Sequence, residues 1–272
     1  MAQRAWARAF HLDTLGVYMQ PTLAPPTDIR SHMATVHSLR AAQVGTPDLA
    51  AAVLAVKSLQ SRRFARSYAD LLASAQFASP TRFFLDELYG TRDFSQRDAQ
   101  FSRIASTLER LFPASVVHTA TQLAALHALS ETLDDAMGRS WLALESLAPA
   151  VRYTTAWQTT GQPALRRQQL ALALGIGHSL DKLTGTPGLR TMLKMMRGPA
   201  AAAGLADLQR FLETGFDTFA SMRRSKGACV HFLSCIESRE SQWINRLFEF
   251  SLLAHPSSSR QIEELSELLS FA

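Results

Sequence analysis

Cysteine is nearly absent. Cys229 and Cys235 are the only two in 272 residues, and such a pair close together in sequence cannot form a disulfide framework. A reducing, cytoplasmic setting is the expectation. Long apolar runs are missing as well. The longest uncharged stretch, Ala114–Ser130, contains His118, Gln122 and His127. That is too polar for a lipid-facing span, so no transmembrane segment is expected. The opening residues, MAQRAWARAFHLD, have neither the apolar core nor the small-residue cleavage site of a secretion signal. Their short Arg-rich amphipathic character is the one feature shared with transit peptides and membrane-surface helices. Nowhere do apolar and polar residues alternate convincingly, no hairpin turn separates β-branched runs, and no fixed-period repeat is visible. The G-x-S-x-G elbow, the phosphate loop and the dinucleotide fingerprint are absent; GIGHSLDK (Gly175–Lys182) has the wrong spacing and no preceding strand.

Charge is sparse but segregated. The charged share is 19% against an apolar share of 47%, the balance of a globular chain with a sizeable core. Residues 71–150 carry net −3 and residues 151–227 net +7. The basic stretch has few aromatics interleaved for base stacking, so nucleic acid is not an expected partner.

What fills the chain is 3.6-residue periodicity punctuated by proline and glycine. Thr46–Pro47 predicts a helix to about Ser74, with Leu49, Val53, Val56, Phe64, Tyr68 and Leu71 on its apolar side. Ser79–Pro80 opens another, stopped by Gly90. A capping box (Asp93 with Gln96, or Ser95 with Asp98) precedes a helix bearing Phe101, Ile104 and Leu108. Pro149 and Pro163 start two more, and Gly175 and Gly177 in the second suggest close helix contact. A Met-rich piece (Met192, Met195, Met196) leads to the amphipathic stretch Leu205–Met222, then a helix around Cys229–Leu253. The fold class is therefore all-α, a multi-helix bundle of eight to ten helices. The expected division is a leader and Pro-rich loop over residues 1–45, a helical body over 46–255, and a loop with a short acidic helix over 256–272.

Residues 113–147 form the expected centre. A helix without charge from Ala114 to Ser130 reads as buried on most sides. Charge then arrives as Glu131, Asp134 and Asp135, and His127, Glu131 and Asp134 fall on one narrow stripe with Val116, Ala120, Leu123, Ala124 and Trp141. A second crowd of polar groups, with Asp86, Glu87, Tyr89, Arg97 and Asp98, lies at the corner between two preceding helices.

RFFLDELYGTRDFSQRD (Arg82–Asp98), SYADLL (Ser67–Leu72), LHALSETLD (Leu126–Asp134) and GFDTFASM (Gly215–Met222) resemble recurring stretches of a family of uncharacterised, all-helical bacterial proteins. The resemblance covers residues 50–225. It implies a helical fold and a cytoplasmic setting, and no activity, cofactor or catalytic residue.

Two function classes follow. The favoured one is a non-enzymatic binding or interaction protein, with a protein or a small molecule as partner, held by a buried polar network. In it Glu131 and Asp134 pair with cations such as Arg97 or Arg103 and pin neighbouring helices together. The alternative is a metal- or cofactor-dependent bundle enzyme. There His127, Glu131 and Asp134 hold a transition metal, and Glu87, Tyr89 or Asp98 join them. The Glu-x-x-His pairs of di-iron bundles are absent. Cys229, His231 and Cys235 lack zinc-site spacing, and His178 with Asp181 reads as a helix-face pair.

Overall fold

The computed structural model describes residues 28–88, 90 and 94–249, together with Glu263 and Ser266. The Arg-rich N-terminus, the Pro-rich segment before Asp28, Tyr89, Asp93 and the expected C-terminal acidic helix lie outside the described residues, those two positions apart. The helices are α1 (Ile29–Val44), α2 (Pro47–Ser67), α3 (Ala69–Ala73), α4 (Ala78–Phe83), α5 (Ser95–Leu111), α6 (Ala114–Leu142), α7 (Pro149–Thr160), α8 (Pro163–Thr184), α9 (Leu189–Met195), α10 (Arg197–Ala202), α11 (Ala206–Met222) and α12 (Ala228–Glu249). Helix α4 runs on into a single π-helical turn, Phe84–Leu88. There is no strand among the described residues. The all-α expectation holds, and the short helices α3, α4, α9 and α10 carry the count beyond eight to ten.

Proline sets several starts, because the first helical turn has no use for the N–H that proline lacks. Pro47, Pro149 and Pro163 all sit there. Residues 29–44, expected to lie outside the helical body, form α1. Its N-cap is Asp28, whose carboxylate accepts the Ser31 N–H at 2.7 Å, and it buries Ile29, Met33 and Val36 completely. The helix is hard to see in the sequence because His32, His37 and Arg40 interrupt its apolar stripe. The helix expected to reach Ser74 breaks at Tyr68, which leaves the helical region at φ −119°, ψ 21°; its hydroxyl donates to Glu240 on α12 at 2.7 Å. The expected capping box at the start of α5 does not form around Asp98, whose carboxylate turns inward to His127 and Arg40 instead.

Helix α6 is the hub, in contact with α1, α2, α5, α7 and α8. Gly138 brings α2 against it: a Cβ there would lie 2.5 Å from Val53 Cγ2. Gly177 does the same for α8 and α12, with Leu233 Cδ2 at 2.5 Å, whereas Gly175 meets Gln122 only at 3.4 Å. Around the hub lie two principal apolar clusters. The larger joins α1, α3, α4, α5, α11 and α12 to the first half of α6; the smaller joins Met137 and Trp141 to α2, α7 and the end of α12. Along Ala114–Ser130, expected to be buried on most sides, burial is graded. Ala114, Ser115 and His118 are exposed, most other positions are half-buried, and full burial is confined to Thr119, Ala124, Leu126 and Ala128.

Candidate functional site

The second half of α6 turns its carboxylates inward, and neighbouring helices meet them with donors. Glu131 is 5% exposed and both its oxygens accept from Lys57 Nζ on α2, at 2.7 and 2.8 Å. Arg40 on α1 stands 3.6 Å from the same carboxylate. One turn back, His127 Nε2 lies 2.8 Å from Asp98 Oδ2 on α5, and Arg40 Nη2 reaches that oxygen at 2.8 Å. Burial pushes Asp98 up, but His127, Arg40 and Arg97 more than offset this and hold its carboxyl below the usual range. Being ionised, Asp98 can only accept, so His127 Nε2 must carry its proton. Burial likewise raises Glu131, and Lys57, His127 and Arg40 together take it below the ordinary value.

Asp134 differs. It accepts from Gln60 Nε2 at 3.1 Å, and burial raises its pKa despite the charge on Lys57. Asp135 accepts from Gln43 at 3.1 Å and from Arg139 at 2.8 Å. A parallel pair lies toward α12, where Arg63 Nη1 donates to Glu240 Oε1 at 2.6 Å, the same oxygen that Tyr68 reaches. Burial would lower Arg63, and Glu240 instead raises it.

Of the sequence candidates, then, His127, Glu131 and Asp98 belong to one ladder of charged and polar groups, with Arg40 hydrogen-bonded to Asp98 and 3.6 Å from Glu131. Glu87 connects to it through Arg97, whose Nη1 donates to the Glu87 carbonyl at 2.9 Å and lies 3.6 Å from its carboxylate. The expected cations are corrected: Lys57 and Arg40 serve Glu131, while Arg103 donates to the Ala203 and Gly204 carbonyls. His127, Glu131 and Asp134 take separate partners and do not converge as a ligand set. Among the described residues no three His, Cys, Asp or Glu side chains are placed to hold a metal ion. Tyr89 lies outside the described residues.

The first half of α6 faces something the sequence does not announce, an apolar cavity of about 540 Å³. Val116, Thr119, Ala120 and Leu123 form the α6 wall, facing Phe101, Ile104 and Leu108 from α5, Ile176 and Leu180 from α8, and Leu208, Leu212 and Phe216 from α11. Phe83 and Phe84, at the start of the π-helical turn, close one side; α9 and α10 lie across another with Leu189, Met192, Leu193 and Ala200. The polar groups among the lining are few. Thr119 gives its hydroxyl to the Ser115 carbonyl at 2.8 Å, and Arg103, Thr107 and Gln209 complete the set. Arg103 and Thr107 are solvent-exposed, which marks that edge as the mouth. Phe101, Leu123, Leu208 and Phe211 also line a void of about 30 Å³ shared with Glu87, Arg97, Asp98, His127 and Ser130. That is room for about one water. Four side chains therefore separate the cavity from the ladder.

The uncharged run in α6 is the one signal of the cavity in the sequence, and it reads equally as ordinary core. Lys57 and Gln60 are flagged only by lying on the apolar side of their helix. A family model described as a domain of unknown function (DUF8198) matches residues 39–252. No curated protein and no solved structure matches the chain.

Proposed function

We infer, from the premise that this chain belongs to the DUF8198 family, that it is a non-enzymatic binding protein for a small, predominantly apolar molecule. The observation that carries this reading is the cavity of about 540 Å³ beside the first half of α6. Its volume lies within the roughly 300–1,000 Å³ of small-molecule sites. Left empty and closed, a void of that size costs on the order of 10 kcal/mol, comparable with the whole net stability of a domain. Solvent entering at the mouth relieves part of that cost. An apolar guest relieves more, because the wall offers water few partners.

The chemistry of the guest follows from the wall. With the Thr119 hydroxyl already bonded within its own helix, the interior has little polar recognition to give, and shape and apolar area set the selectivity. Any polar end of the guest belongs at the mouth, beside Arg103, Thr107 and Gln209. The ladder on the other half of α6 is then structural: its carboxylates already hold partners, and it fixes α1, α2 and α5 against the wall of the cavity.

Native mass spectrometry of the full chain tests the reading, before and after organic extraction and with a panel of apolar molecules added back. The expected result is one apolar molecule per chain, retained or taken up, with a raised melting temperature. At a free concentration 100 times Kd the stabilisation amounts to about 2.7 kcal/mol. A chain that takes up none of the panel and whose melting temperature never moves would refute the reading.

A further inference from the structure

We propose that the α9–α10 segment is a lid that docks on an anionic lipid bilayer and opens the cavity to it. The proposal rests on the reading of the cavity as an apolar-ligand site and names where the ligand comes from. The segment is two-faced. Leu189, Met192 and Leu193 point into the cavity, while Arg190, Lys194 and Arg197 are exposed on the outside. No acidic residue occurs from Lys182 to Ala206. Met195, on that same outer side, is 74% exposed; Met196 beside it lines the cavity and is 36% exposed. A short cationic helix with apolar side chains among its charges is the pattern that seats in the interface of an anionic membrane. Methionine suits such a surface because its unbranched chain adapts to irregular packing.

The manner in which the α9–α10 segment is held supports a lid. Helix α9 has no fully buried residue, and α10 has only Ala200. Polar contacts tie the unit down: Arg190 to Asp217 at 2.9 Å, Arg197 to Glu213, Gln209 to the Leu193 carbonyl at 2.7 Å, and Arg103 to the Ala203 and Gly204 carbonyls. The two arginine–carboxylate pairs are solvent-accessible on the arginine side, so lipid phosphates can compete for their cations. Asp217 and Glu213 partly neutralise the segment in its closed form. Lys194 is exposed beside Met195, and its charge also acts on Glu213. The apolar guest is poorly soluble, and a bilayer is the phase in which it accumulates.

Flotation of the full chain with vesicles tests this, using phosphatidylcholine alone and phosphatidylcholine mixed with phosphatidylglycerol. Binding is expected only to the mixed vesicles, weakening at least tenfold between low salt and 0.5 M salt. Lys194→Glu and Met195→Glu each cut it severalfold, since both residues lie outside the cavity lining. Uptake of a soluble apolar fluorophore by these variants stays as in the parent, which shows that they fold and keep the cavity. Three results would overturn the proposal: no vesicle binding, equal binding to both compositions, or binding indifferent to both substitutions. The same face capturing a protein while ignoring vesicles would overturn it too. If instead the vesicles bind as expected and the fluorophore never enters, the cavity reading fails while the docking face stands.

Discussion

The two halves of α6 solve opposite problems. From His127 to Asp135 the helix carries charge into the interior, and partners arrive from three other helices to meet it: the donors Arg40 from α1 and Lys57 and Gln60 from α2, and from α5 the acceptor Asp98 with its own guanidinium partners. From Val116 to Leu123 the same helix carries no charge and faces a void of about 540 Å³. One half is filled with paired polar groups, though Arg40 Nη1 is buried without a hydrogen-bond partner, and the other is apolar and incompletely filled. A buried charge is tolerable only with its partner in place, which makes the ladder intolerant of change. An unfilled apolar wall has no such demand, which makes the other half tolerant of added volume. The contrast separates what holds the fold from what is available for binding.

The sharpest way to break the comparison is to remove a charge from the ladder. Glu131→Gln leaves Lys57 without its counter-ion and should destabilise by about 3 kcal/mol, read as a lower midpoint in urea unfolding. A midpoint within error of the parent would mean that the ladder does not hold the helices. Acid titration gives the next largest effect. Asp98 and Glu131 have folded pKa values below their ordinary 3.8 and 4.5, so the stability they contribute is present above those values and lost as pH falls through the lower folded ones. Thermal melts should therefore hold steady down to about pH 5 and collapse below it. Glu131→Gln should flatten part of that collapse.

Filling the hollow half should act the other way. Ala120→Leu adds apolar volume at the cavity wall and is expected to stabilise the ligand-free chain by about 1 kcal/mol. A loss above about 2 kcal/mol, the signature of overpacking, would show that the wall has no space beside it. Asp134→Asn should have the smallest effect and refines the comparison within the ladder itself. Burial raises this carboxyl above 3.8, so its ionised form opposes folding, and its favourable contribution is lost as pH rises through the folded value. Asn keeps a carbonyl oxygen for Gln60 and removes the charge. The melting temperature at pH 7 should stay level or rise slightly, opposite in sign to Glu131→Gln one turn away.

Periodicity and punctuation made most of the fold legible. The helices that begin at Pro47, Pro149 and Pro163 are marked by residues whose backbone chemistry permits little else, and the apolar repeat in Leu205–Met222 predicts α11 directly. Helix α1 was not legible, because polar His32 is among its buried positions and Arg40, on the same side, finds its partners on other helices. The inward turn of Glu131 could be read from its place after an uncharged run, and a cationic partner was expected. The identity of that partner could not be read, since Lys57 and Glu131 are 74 positions apart and only the packing of α2 on α6 joins them. Asp98 could be read as a cap or as a site residue; in the tertiary structure its carboxylate meets His127 and Arg40 instead of capping α5. The cavity was invisible for a related reason: leucines and phenylalanines that line a void and those that fill a core obey the same spacing.

The claim that the hollow half of α6 is a binding site is tested most directly by titrating an apolar fluorophore into the parent chain and into Ala120→Phe. The variant leaves Glu131, Asp98 and the rest of the ladder untouched, and its ring occupies space at the centre of the α6 wall. Saturable binding at one fluorophore per parent chain is expected, with at least a tenfold weaker association in a variant that melts no lower than its parent. Equal binding by the two chains would contradict it and place the apolar site elsewhere.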